Sequence, residues 1–387
     1  MIPYGRQQID QQDIDAVIDV LRSDFLTQGP AVPAFENRVA SYCKVPHAVA
    51  VNSATSALHI ACMALEVGPG DLVWTSPISF VASSNCALYC GANIDFVDID
   101  PATYNLSIEA LQLKLQQAEA AARLPKVLIA VHLSGQSCPM REINELSKQY
   151  GFKIIEDASH AIGGRYLGLP VGNCEYSDIT VFSFHPVKII TTAEGGMATT
   201  RQKELATRMQ LYRSHGITRD SELMTHQPDG AWYYQQIELG YNYRMTDLQA
   251  ALGLSQMDKL DTFIEQRHAI ATRYNTLLVD LPAVMRPYQH QDTHSALHLY
   301  IIRLHLDQIS VNHTTVFDRM RAKGIGVNLH YIPIHLQPYY QRLGFKKGDF
   351  PNAEKFYSEA VSIPMYSSLS FQQQDQVLDA LRQSLSK

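Results

Sequence analysis

The residues best suited to chemistry sit in one run, Phe182-Ser183-Phe184-His185-Pro186-Val187-Lys188. The apolar stretch from Ile179 to Phe184 reads as a strand, and Pro186 cannot continue a central strand, so the chain leaves the sheet there. Lys188 then stands in a short turn before the paired glycines Gly195-Gly196. Burial at a strand end disfavours an ammonium and frees the nitrogen lone pair for attack on a carbonyl. That is the chemistry of a Schiff-base lysine, the kind that holds pyridoxal phosphate (PLP). A lysine in a surface loop fits the same residue, because lysines are mostly exposed. Two further groups favour the chemical reading. Asp157 follows Ile154-Ile155-Glu156, and a carboxylate at a buried strand end needs a cationic partner, which a protonated pyridine nitrogen would provide. Ser53-Ala54-Thr55-Ser56 follows the short strand Val49–Asn52 and precedes a helical run. Hydroxyls and free N–H groups at a helix N-terminus make a phosphate cradle. Plain helix capping by Ser53, Thr55 or Asp157 is the alternative.

These groups need a sheet to hold them. Strand-like runs occur at Leu72 to Thr75, Ile94 to Asp98, Lys126 to Leu133, Lys153 to Glu156, Ile179 to Phe184 and Gly196 to Thr200. Helical patterns at about 79 to 90, 107 to 119, 139 to 150 and 201 to 212 lie between most of them. Such alternation predicts an α/β fold with a mostly parallel sheet covered on both faces. Ligands in such sheets sit beyond the carboxyl ends of the strands, which is where Ser53, Thr55, Ser76, Ser79, His132, Asp157, Ser183 and Lys188 fall. Before the sheet, 10 to 23 reads as a helix capped by Asp10, and Phe35 to Tyr42 as another, across a loop from Asp24 to Pro33. Residues 213 to 244 form a long polar stretch holding Trp232, Tyr233, Tyr234, Tyr241 and Tyr243. Its length and aromatic content predict an ordered, contact-making loop. Helices resume from Thr246 to Met257 and on to Leu278. Beyond Pro282–Pro287 a small α/β domain is expected, with strands at Leu299 to His305 and Gly326 to His330 and helices at Thr314 to Lys323, Asn352 to Val361 and Ser370 to Leu385.

At 387 residues the chain exceeds one ordinary core, so a large and a small domain are expected. With 46% hydrophobic and 18% charged residues it has the profile of a compact soluble enzyme. A net charge of -6 and no basic run argue against nucleic acid and membrane partners. Six cysteines without metal or C-x-x-C spacing predict reduced thiols in a cytoplasmic protein. His330 and His335 lack a third ligand at a recognisable spacing, so no metal is expected. No G-x-G-x-x-G follows the first strand, which argues against a nicotinamide dehydrogenase.

Taken together, these words resemble the sugar-nucleotide aminotransferases of the DegT/DnrJ/EryC/StrS type. LTQGP at Leu26, SATSALH at Ser53, EDASHA at Glu156, FSFHPVK at Phe182, EGG at Glu194 and GYNYRMTDLQAALG at Gly240 occur in the family's order along essentially the whole chain. The resemblance implies a fold-type-I homodimer like aspartate aminotransferase, with two active sites at the interface. The large PLP-binding domain would span 1–255 and the small domain 256–387. It further implies that Lys188 carries PLP and shuttles a proton, and that Asp157 pairs with the pyridine nitrogen. Ala54, Thr55 and Ser183 would hold the phosphate, Asn242 would reach the partner's phosphate, and Phe80 would stack on the ring. His160 stands where glutamine is often found and would meet the phenolic oxygen. Thr27, Arg213, His215, Trp232 and Tyr331 would belong to the nucleotide-sugar pocket.

Within the family, FSFHPVKIITTAEGG and RSHGITRD most resemble members that aminate C4 of a UDP-linked 2-acetamido-2,6-dideoxy-4-keto-hexose on the way to pseudaminic acid. L-Glutamate would be the amino donor. Members that dehydrate carry histidine in place of this lysine, and without the amine there is no return to the resting state. Transfer at C3, a dTDP or GDP carrier, and a PLP-fold sensor without turnover are the competing readings.

Overall fold

The computed structural model describes residues 1–386. Its centre is a sheet of β1 (His47–Val51), β2 (Leu72–Thr75), β3 (Asn93–Phe96), β4 (Val127–Val131), β5 (Lys153–Asp157), β6 (Ile179–Ser183) and β7 (Gly196–Thr200). The spatial order is β1-β7-β6-β5-β4-β2-β3. β3, β2, β4, β5 and β6 run parallel, and only β7 is reversed against its neighbours β6 and β1. The strands read as unbroken apolar runs because both faces are covered. On β4 all five residues are buried.

Alternate residues go to opposite layers. Ile129, Ile155 and Val181 join the core under the helices α3 (Ala54–Ala64), α4 (Ala82–Tyr89) and α7 (Lys203–Arg213). Leu128, Ala130 and Ile154 join the core under α5 (Ile108–Ala120) and α6 (Met140–Tyr150). Phe182, Phe184 and Met197 pack with Phe35 and Val39 of α2 (Ala31–Cys43) and with the helices Asp247–Met257 and Leu260–Leu277. Each fully buried side chain of this size contributes roughly 1.5–3 kcal/mol. The first helix, α1 (Gln11–Leu21), has the expected Asp10 cap, completed by Asp13 as a capping box. Asp13 is fully buried and also ties α1 to the 247–257 helix through Ser255 Oγ at 2.6 Å and Gln256 Nε2 at 2.8 Å.

A second, antiparallel sheet joins Val284–Met285, Tyr300–Leu304 and Ala360–Ile363. It differs from expectation in two places. Residues 326–330 form no strand; Asn328 alone bridges Ser362. Residues 360 and 361, expected to finish a helix, instead begin the strand Ala360–Ile363 that pairs with Tyr300–Arg303, and the helix stops at Glu359. Cross-strand pairing overrides the helical pattern there. α2 also begins earlier than expected, at Ala31, with Pro33 in the first turn, where a missing N–H costs little. The 213–244 stretch is irregular apart from a two-residue ladder, Ile217–Thr218 with Gln235–Gln236. No described helix is long and apolar enough to cross a membrane.

Candidate active site

A cavity of about 540 Å³ opens at the carboxyl ends of β5 and β6, against the N-terminus of α3. Lys188, Asp157, Ala54, Thr55, Ser183, Phe80, His160 and Tyr331 all line it. The sheet explains the convergence. β5 and β6 are neighbours and end together, so Asp157 and Ser183 emerge at one edge. The turn after β6 then folds back, with Lys188 N donating to His185 O at 2.9 Å.

Lys188 is half-buried, and its amine has no hydrogen bond or ion pair to any described residue. Burial pushes its pKa down to about 8, against the opposing charge of Asp157. Asp157 is 5% exposed and has no basic group within ion-pair distance. Three donors hold it: Ser159 N at 3.2 Å and Ser159 Oγ at 2.6 Å on Oδ1, and Ser83 Oγ at 2.6 Å on Oδ2.

Ser53 caps α3, its Oγ accepting the Ser56 amide at 3.1 Å. Capping does not exclude an anion site here, because the cap leaves the Ala54 and Thr55 amides, the first two of the helix, without helical acceptors. They face the cavity with the Thr55 and Ser183 side chains beside them. β7 closes the cradle from behind. A Cβ on Gly196 would fall 2.5 Å from the Ser53 carbonyl and 2.6 Å from Ala54 N, so only glycine permits this approach.

His160 lines the opposite wall. Its Nδ1 accepts the Ser134 amide at 3.3 Å, so the remaining proton is on Nε2, which donates to Tyr331 Oη at 3.1 Å. Burial and the nearby Lys188 hold the ring well below the usual histidine range. Both nitrogens are therefore engaged, and the Tyr331 hydroxyl proton is the free donor on this side. Phe80 is 59% exposed at the rim, its ring 6.3 Å from that of Tyr331.

Five expected residues stand outside this cavity. Thr27 and Trp232 are exposed, the latter 75%. Asn242 is exposed and bridges Ser214 through its backbone, and His215 is exposed beside it at φ 61°. Arg213 is engaged elsewhere: Nη1 lies 2.5 Å from Glu36 Oε1 and 2.9 Å from Ala50 O. Conversely, sequence reasoning passed over Ser83, Ser159 and His298, and weighed His330 only as a metal ligand. The His298 ring centre lies 4.5 Å from that of His160, tilted by 43°, and His330 Nδ1 lies 2.8 Å from Ser362 Oγ. Ser159, two residues past Asp157, had a local signal as an Asx-turn donor; the two histidines, far along the chain, had none. His335 meets Glu354 at 3.0 Å, and no described cluster of His, Cys, Asp or Glu could hold a metal.

The donor set fits PLP: an unpaired half-buried amine, a buried carboxylate without a cation, and a helix N-terminus with free amides. Comparison with known proteins agrees. The chain is 36% identical over 387 residues, covering 100% of it and 98% of the relative, to the UDP-4-amino-4,6-dideoxy-N-acetyl-beta-L-altrosamine transaminase of Campylobacter jejuni. Its fold matches that of Helicobacter pylori PseC, an aminotransferase involved in the biosynthesis of pseudoaminic acid, at TM-score 0.91 and 30% identity over 99% of both chains. It also matches the PLP-form of Spr1654 from Streptococcus pneumoniae at TM-score 0.88 and 29% identity, over 99% of this chain and 98% of that one. Residues 7–382 match one family, and the chain belongs to it: the DegT/DnrJ/EryC1/StrS aminotransferase family, whose members are PLP-dependent sugar aminotransferases.

Proposed function

We propose that the enzyme transfers the amino group of L-glutamate to C4 of a UDP-linked 2-acetamido-2,6-dideoxy-4-keto-hexose, giving the 4-amino sugar used for pseudaminic acid. One observation carries the chemistry: Lys188 presents an unpaired amine, its pKa pushed down by burial to about 8, in the same cavity as Asp157 and the α3 amides. The names of the C. jejuni and H. pylori relatives support the substrate. Bound PLP supplies a carbonyl for amines to condense with and a ring that takes up the electron pair. Asp157 would hold the proton on the ring nitrogen. Ala54, Thr55 and Ser183 would bind the phosphate, and Phe80 would cover the ring. Lys188 Nζ takes the proton from the glutamate α-carbon in one half-reaction and delivers one to sugar C4 in the other. Ping-pong kinetics follow.

In this reading the enzyme works as a homodimer. Phe25, Leu26, Trp232 and Leu239 are large, apolar and 49% to 75% exposed, and they flank Thr27, Asn242 and the 213–244 loop. A second copy covering them would bring Asn242 to the partner's phosphate and Thr27, His215 and Trp232 to its sugar. The contribution of His298 and Tyr331 to the cavity supports a small domain, 256–387, closing against a large one, 1–255. Six free cysteines fit a reducing, cytoplasmic setting.

The test is the visible spectrum of the PLP-loaded protein before and after L-glutamate, with Lys188→Ala as control. Bleaching in the wild type alone supports the reading, and a panel of 3- and 4-keto sugars on UDP, dTDP and GDP then identifies the acceptor. A protein that cannot be loaded, or that holds PLP but turns over no amino donor, overturns it.

A further inference from the structure

The mechanism above uses Asp157 but leaves the hydroxyls behind it unassigned. Ser83 stands in the first turn of α4 and is fully buried. Its Oγ lies 2.6 Å from Asp157 Oδ2 on one side and 2.6 Å from Ser79 Oγ on the other. Ser79 is 3% exposed and lines the cavity.

Counting protons fixes the direction of this chain. A carboxylate can only accept, so the single Ser83 proton goes to Oδ2. Ser83 Oγ must then accept the Ser79 proton. Counting acceptors fixes where a ligand can bind. A carboxylate has about four acceptor positions. The Ser159 amide and hydroxyl fill two on Oδ1, and Ser83 fills one on Oδ2. One position remains, on Oδ2, the oxygen that Ser83 already polarises.

We infer that Ser83, backed by Ser79, is a positioning residue that turns Asp157 Oδ2 toward the cofactor's ring nitrogen. This rests on the proposed pairing of Asp157 with the ring. Chained hydroxyls strengthen one another's hydrogen bonds. The ring proton therefore stays on nitrogen, where it keeps the ring electron-poor. The other titratable groups around the cavity are Lys188, His160, His298, His330, Tyr331, Tyr4, His185 and Glu194; burial keeps His160, His298 and His330 neutral, and His185 and Glu194 lie exposed, 4.0 Å from one another, leaving Lys188 as the buried cation that Asp157 faces.

Removing the Ser83 hydroxyl takes away the donor that shares Oδ2 with the ring. Whether the carboxylate then carries fuller charge or draws the ring proton toward itself, the ring becomes less electron-withdrawing. The experiment is a pH titration of the visible absorption band of the PLP-loaded protein. Ser83→Ala is expected to move the midpoint up by about 0.5 to 1 pH unit, the size of one hydrogen bond to a charged group felt through the ring. Ser79→Ala should move it less, in the same direction, and Ser83→Thr should restore it. Wild-type protein that will not load refutes the cofactor reading itself. Wild-type protein that loads, with Ser83→Ala titrating at the wild-type midpoint, overturns this inference alone. If Ser83→Ala does not fold, Ser79→Ala decides by the same criterion.

Discussion

Tyr331 Oη and His160 Nε2 stand 3.1 Å apart although their residues are 171 positions apart in the chain. Because His160 Nδ1 is occupied by the Ser134 amide, His160 is the donor in this pair and Tyr331 the acceptor. Tyr331→Phe therefore strands a buried N–H without removing any packing ring. The variant is expected to lose about 1–3 kcal/mol of stability. A lower urea midpoint with unchanged m would show this. It should also bind PLP more weakly, since the free hydroxyl on that wall is gone. A variant as stable as wild type with unaltered PLP affinity would refute the assignment of donor and acceptor.

The Lys188 amine has a pH signature. Burial lowers its pKa from 10.5 to about 8, while Asp157 pulls the other way. Its reactive free-base form thus accumulates as pH rises through about 8, well before that of an ordinary lysine. Labelling of the cofactor-free protein with fluorodinitrobenzene, followed by peptide mass spectrometry, should give a Lys188 midpoint near 8. Asp157→Asn removes the opposing charge, so its midpoint should fall further. A midpoint near 10.5 in the wild type, or an upward move in the variant, would contradict the burial argument.

Arg213 is expected to matter for the fold more than for the sugar. Its guanidinium joins Glu36 and the Ala50 carbonyl, and Glu36 Oε1 also accepts the Ala50 amide at 2.8 Å. The pair pins the edge strand β1 to α2. Both side chains are more than four-fifths buried, so Arg213→Ala leaves a carboxylate without its cation and should cost on the order of 2–4 kcal/mol. Denaturant melts would read the loss. Unchanged stability with a raised KM for the nucleotide sugar would return Arg213 to the sugar pocket.

How much of this was legible in the chain follows from the range of each interaction. The central strands were readable because continuous apolar runs mark a doubly covered sheet, Asp157 because it closes such a run, and Lys188 because it stands in the turn just past another. Ala360–Ile363 was not, because its partner Tyr300–Arg303 lies some sixty residues away and local pattern favours the helix. His298 escaped notice, and His330 was weighed only as a metal ligand, for the same reason: nothing beside them in sequence marks a residue brought to the cavity by a distant sheet. Ser83 was hidden differently. A serine in the first turn of a helix reads as ordinary local hydrogen bonding, and only the position of Asp157 across the layer gives its hydroxyl a purpose.

The closeness of β7 to α3 makes the phosphate cradle testable without touching a polar group. Gly196 pairs with Val51 on one side and Ser183 on the other, so its backbone is fixed by the ladder. The atoms a methyl would meet, Ser53 C and O and Ala54 N, are themselves backbone at the helix cap. Neither side can yield by turning a side chain. Gly196→Ala must push the start of α3 away from β7, moving the Ala54 and Thr55 amides out of line with Ser183. Overpacking of this kind costs about 1–3 kcal/mol, which a domain of this size should survive. The expected result is a folded protein with a modestly lower melting temperature and PLP affinity reduced at least tenfold, equivalent to about 1.4 kcal/mol. Ser183→Ala, which removes one hydroxyl and leaves the amides in place, should weaken PLP binding less. If Gly196→Ala binds PLP as wild type does, the α3 N-terminus is not the phosphate site. Inorganic phosphate offers a second readout: it should compete with PLP in the wild type and lose that effect in Gly196→Ala.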